Sequence, residues 1–98
     1  MEQILAGTFE LDPADRDAWL AGRADLMRRS RAEDGCIAYV FAADPIEPGR
    51  VVLYERWTSE AALDGHRAVL AASPPADPGF TVLSSVIEQF AATEVPRP

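Results

Sequence analysis

The chain holds one cysteine, one histidine and no lysine. A single cysteine cannot form an intramolecular disulfide, so nothing points to an oxidising compartment. There is no CxxC and no His/Cys cluster, so the sequence offers no metal site. No apolar run approaches the ~18 residues that suggest a membrane span. The stretch MEQILAGTFELD has no basic segment and too short an apolar run for a signal peptide, so a cytoplasmic protein is expected. A net charge of −7 argues against nucleic acid or an anionic membrane as a partner. No GxGxxG is present, DPIEPG reads as a turn, and no phosphate loop is expected. The nine basic residues are all arginine, which reads as a compositional bias and not as a binding device.

What is present is ordinary for a globular protein: 98 residues, 48% hydrophobic and 26% charged. Residues 1–98 make one domain, with a core small enough that a partner helps. There is no internal repeat. The most informative stretch is Asp34–His66, which contains the cysteine, the histidine, both tyrosines and one of the two tryptophans.

Taken in order, Gln3–Leu11 reads as a first strand. Its more apolar set, Leu5, Gly7, Phe9 and Leu11, faces a core, and Gly7 suggests a bulge or a close backbone approach. Asp12-Pro13 starts a helix expected to run unbroken to Arg31 or Ala32, with Gly35 as a left-handed stop. Cys36–Ala43 is a second strand with Ile37, Tyr39 and Phe41 on one side and Cys36, Ala38, Val40 and Ala42 on the other. Its small residues suit a face pressed on helices, and its large ones a face packed on something else. A loop, Asp44–Gly49, leads to the third strand, Arg50–Trp57. A helix capped by Thr58 or Ser59 then runs from Glu60 to about Ala72, with Ala62, Leu63, His66, Val69 and Leu70 on its buried stripe. Ser73–Gly79 is a loop.

Phe80–Val95 reads as the last strand. About fourteen residues of strand would span roughly 45 Å, against a diameter of about 33 Å for a compact domain of this length. Either the strand bends or its end pairs with a second copy, and the second is expected.

The order β-α-β-β-α-β is the ferredoxin-like pattern of the α+β class: a four-stranded antiparallel sheet with helices on one face. Its other face then carries exposed apolar residues, which a two-fold homodimer, sheet on sheet, would cover.

His66 has the pKa range for general base work; the other reading is a packed histidine bonded to a backbone carbonyl. Glu55 lies between Leu53 and Trp57 on an otherwise apolar face, so it must be paired, bonded or protonated. It either tunes His66 or forms an ion pair with Arg67 or with an arginine of a second copy. Trp57 either walls a pocket for an aromatic substrate or fills the core or interface; Tyr39, Phe41 and Tyr54 pose the same choice. Cys36 reads as a small buried hydrophobe.

GCIAY, DP-x-x-PGR, ERW and S-E-A-A-L-D-x-H together resemble the antibiotic biosynthesis monooxygenase family, whose members include quinol monooxygenases. The resemblance implies a dimeric α+β barrel and an oxygenation without metal, flavin or other cofactor. The electrons would come from a quinol or a polyphenolic, polyketide-like aromatic, which once deprotonated can itself reduce O₂. It implies His66 and Glu55 as catalytic residues, with Trp57, Tyr39, Phe41 and Tyr54 around the substrate. Many members carry a further His after the second helix, where this chain has Ala71-Ala72-Ser73-Pro74-Pro75. Haem-degrading relatives use an Asn on the first strand and a later His, so haem breakdown is disfavoured here. The other competing expectation is a non-catalytic dimeric module that binds a small molecule in the same cavity.

Overall fold

The computed structural model describes residues 1–73 and 79–97. The elements are β1 (Glu2–Glu10), α1 (Pro13–Ala21), α2 (Ala24–Arg31), β2 (Cys36–Ala43), β3 (Arg50–Trp57), α3 (Glu60–Ala72) and β4 (Ser84–Ala92). The four strands form one antiparallel sheet in the order β2-β3-β1-β4. This is the α+β ferredoxin-like arrangement, with its first helix divided in two. No helix among the described residues is long and apolar enough to cross a membrane.

The expected single helix breaks at Gly22-Arg23. Glycine is poorly suited to a helix interior, and the chain tightens there: Arg23 N donates to Leu20 O at 2.9 Å. The start is as the sequence indicates, with Asp12 Oδ1 accepting from Ala14 N and Pro13 in the first turn. At the other end Gly35 takes a left-handed φ of +81°. Ser59, not Thr58, caps α3 by accepting from Ala62 N.

The strand faces correct one expectation. Tyr39 and Phe41 point towards the helices, and Ala38, Val40 and Ala42 lie on the open side, paired with Arg56, Tyr54 and Val52. A register shift between Cys36 and Ala38 makes Ile37 the extra residue and returns Cys36 to the helix side. The large rings are needed there because an interior must be filled to crystal-like density. Phe9, Trp19, Tyr39 and Phe41 fill it as a cluster with neighbouring centroids 5.4–5.8 Å apart.

β2 is an edge strand, and α2 blunts it. Arg31 Nε donates to Tyr39 O at 2.8 Å, and Phe41 N donates to Met27 Sδ at 3.3 Å. Two outward backbone groups are thereby satisfied instead of offered to another chain.

The last strand is shorter than expected. Its nine residues, Ser84–Ala92, all pair with the nine of β1 inside the same sheet. Leu83 N still donates to Glu10 O of β1 at 2.8 Å, but Phe80–Leu83 and Thr93–Arg97 carry no regular structure. Of the loop Ser73–Gly79, residues 74–78 lie outside the described residues. Gly7 is a close-approach glycine: a Cβ there would overlap Val86 O and the Ile87 backbone of β4. The open side of the sheet leaves Val52 (40% exposed), Tyr54 (37%), Val86 (60%) and Phe90 (49%) in solvent.

Candidate functional site

The end of the sheet where β3 meets α3 gathers three of the polar side chains buried among the described residues, Gln3, Glu55 and His66. Three local features bring them there. The register of β3 puts Glu55 and Trp57 on the helix side, opposite Leu5 and Gln3 of β1. The Ser59 cap sets the phase of α3 so that Leu63 and His66 both face the sheet. The Gly35 turn presses on the start of α3, where Thr58 N donates to Gly35 O at 2.8 Å. No side chain fits at Gly35: a Cβ would meet Ala62 Cβ and Thr58 Oγ1. That contact holds Glu33, two residues earlier, against α3.

His66 is 2% exposed and stands between two carboxylates. Its Nδ1 is 2.8 Å from Glu33 Oε2. Its Nε2 is 3.9 Å from Glu55 Oε1, beyond hydrogen-bond distance, and is buried without a hydrogen-bond partner. Glu55 Oε1 instead accepts from Trp57 Nε1 at 3.0 Å. The imidazole lies 4.6 Å from the Trp57 ring, tilted by 33°, and 5.2 Å from Tyr39, edge-on at 62°. Within the chain His66 bonds a carboxylate and not a backbone carbonyl, and Glu55 takes an indole N–H.

Burial pushes the Glu55 carboxyl above its usual range. The Trp57 hydrogen bond, His66 and Arg67 pull the other way without cancelling it. Burial, and then the neighbouring Glu55, also raises the Tyr39 hydroxyl well above the phenol range. Burial likewise raises the Cys36 thiol, helped by Glu33 and Glu55. Among the described residues no three His, Cys, Asp or Glu are grouped as metal ligands.

A cleft of about 280 Å³ opens beside the pair, between α3 and the Glu33–Gly35 turn, walled by Glu33, Asp34, Ala62, Gly65, His66 and Val69. Its volume is just below the range of about 300–1,000 Å³ for small-ligand pockets. Glu33 is the solvent edge of the pair, with a side chain 21% exposed against 2% for His66.

His66, Glu55, Trp57 and Tyr39 thus converge. Phe41 stands behind Tyr39, edge-on at 5.8 Å, within the aromatic cluster. Tyr54 does not join them: it is on the open side of the sheet, in a shallow groove with Thr8, Val86 and Glu88. Glu33 was not among the residues singled out from the sequence. Its only local signal is an acid just before a turn glycine, and nothing in periodicity ties it to a residue 33 positions on.

A sequence profile of the antibiotic biosynthesis monooxygenase family matches residues 3–71. An uncharacterized protein of Synechocystis sp. is 33% identical over 63 residues, which is 64% of this chain and 43% of that protein. The match therefore spans under half of that curated relative. Among solved structures, a Deinococcus radiodurans protein named for the same family superposes with a TM-score of 0.78 at 21% identity, covering 98% of this chain and 97% of the other. A Caulobacter crescentus protein, also named for the family, gives 0.72 at 26% identity, covering 95% and 91%.

Proposed function

Because this chain belongs to the antibiotic biosynthesis monooxygenase family, we propose that it is a monooxygenase that oxidises a quinol or a polyphenolic, polyketide-like aromatic with O₂. The observation that carries this reading is the lone imidazole. It is buried among aromatic rings, anchored on Nδ1, and left with an unpartnered Nε2. A buried nitrogen without a partner costs roughly 1–3 kcal/mol. A phenolic or enolic proton reaching Nε2 would relieve that cost.

The chemistry needs a base because O₂ is a triplet and the substrate must itself supply electrons. His66 takes a proton from a phenolic hydroxyl of the substrate. The delocalised anion passes one electron to O₂, and the two radicals combine into a peroxide anion. His66 returns the proton, and loss of water leaves a carbonyl. The ring loses four electrons and becomes a hydroxyquinone; one oxygen atom stays in the product and the other leaves as water. While His66 carries the proton, Glu55 Oε1, 3.9 Å from Nε2, presents a polar oxygen to the new N–H. Trp57 and Tyr39, with Phe41 behind them, keep the site apolar, which strengthens these charge interactions. The reading assigns Tyr54 another task. With Val52, Val86 and Phe90 it forms the patch on which a second copy packs, sheet on sheet, to make a homodimer.

Oxygen uptake with a panel of hydroquinones tests the proposal. Uptake by the wild type and a fall of at least about 100-fold in His66→Ala are expected. Equal rates in the two would remove His66 from the mechanism. Tight quinol binding without any uptake would assign the fold to ligand carriage instead.

A further inference from the structure

Glu33 lies outside the strands and helices, yet it makes the only hydrogen bond found on the His66 ring among the described residues. We infer that Glu33 is the positioning residue for His66: it fixes the ring's orientation, holds its proton on Nδ1, and supplies the counter-charge when Nε2 is protonated. The inference rests on reading His66 as the base.

The hydrogen-bond logic is direct. An ionised carboxylate can only accept, so with Glu33 Oε2 at 2.8 Å the Nδ1 must be the donor. The neutral ring then has its lone pair on Nε2, facing Glu55 and Trp57. Glu55 cannot set the tautomer from where it stands. It is 3.9 Å from Nε2, its nearer oxygen already accepts the Trp57 N–H, and its burial favours the uncharged form. The remaining titratable or charged groups around the ring are Asp34 on the Glu33 turn, Cys36 and Tyr39 on β2, and Arg67 on α3. None of them is bonded to it, and Arg67 NH2 is engaged by Gln89 Oε1 at 2.7 Å. Glu33 is also held independently of His66, because the left-handed Gly35 and its contact with Thr58 fix the turn against α3. A positioning group needs that kind of support, since a base misplaced by about 1 Å loses much of its advantage.

His66 is the only histidine, so the chain labelled with ¹⁵N-histidine gives one pair of ring signals. Long-range ¹H–¹⁵N spectra above the imidazole's pKa should show a protonated Nδ1 and a bare Nε2. Glu33→Gln keeps an acceptor and removes the charge. The tautomer should persist while hydroquinone-dependent oxygen uptake falls, because the orientation survives without the counter-charge. Glu33→Ala should lose the tautomer preference, whereas Glu55→Gln should keep it. A bare Nδ1 in the wild type would overturn the inference. So would an unchanged tautomer in Glu33→Ala, wild-type uptake in Glu33→Gln, or a tautomer that flips in Glu55→Gln. The spectra do not depend on turnover, so normal uptake in His66→Ala would sink the proposed base while these signals still judged Glu33.

Discussion

Replacing Glu55 by glutamine should stabilise the protein at neutral pH and have little effect near pH 4. Glu55 is 5% exposed, and burial raises its carboxyl above the unfolded value. Between the unfolded and folded pKa the native state therefore binds more protons than the unfolded one. By linkage, stability falls as pH rises through that window and stays lower above it. Glutamine has nearly the same shape, stays neutral, and keeps an oxygen for the Trp57 N–H that Glu55 Oε1 now accepts at 3.0 Å. Each pKa unit corresponds to about 1.4 kcal/mol, and 1 kcal/mol moves the midpoint of a domain of this size by about 4–8 °C. The variant should therefore melt higher at pH 7.5, with the gap closing as pH falls towards 4. Thermal unfolding followed by tryptophan fluorescence from pH 4 to 8 measures this. Midpoints that coincide at pH 7.5, or a variant that melts lower there, would refute the reasoning. Glu55 would then be an ionised partner of His66 whose attraction outweighs its burial.

Two further predictions follow from the turn and from the open face. Gly35→Ala should cost roughly 2 kcal/mol or more in denaturant unfolding, because the left-handed φ and the contacts with Ala62 and Thr58 leave no room for a Cβ; a cost under 0.5 kcal/mol would show that the turn is not held as described. Tyr54→Arg on the open face should turn the proposed homodimer into monomer in sedimentation at micromolar concentration without lowering the helix content. A wild type that sediments as a monomer, or a variant that remains paired, would refute that mode of association.

The elements were legible because each is punctuated locally: Asp12-Pro13, Gly35, the Asp44–Gly49 loop and Ser59 all mark boundaries that the structure keeps. The sidedness of β2 was not legible. A strand with apolar residues on both faces gives no vector, and the irregularity at Ile37 shifts the phase of Cys36 besides. The break after Ala21 was hidden because one glycine inside a helical pattern is usually tolerated. The length of β4 was overread because its apolar alternation outlasts the nine partners that β1 provides.

The site divides along the same line. Glu55 was visible because an acid breaks an apolar face, and its burial follows from the strand's period alone. Glu33 was invisible because an acid in a polar turn breaks no pattern, and its partner is set by how that turn meets α3. Yet the conspicuous carboxylate stands 3.9 Å from the imidazole and the inconspicuous one 2.8 Å. A residue that violates its pattern advertises an energetic cost, whereas one that satisfies it is free to serve at little cost to the fold. Burial disfavours the charged form of Glu55, while Glu33 keeps one edge in solvent and holds Nδ1 with the other. An imidazole placed between such unequal partners has one nitrogen committed and one available, and that asymmetry is what a single histidine needs in order to act as a base.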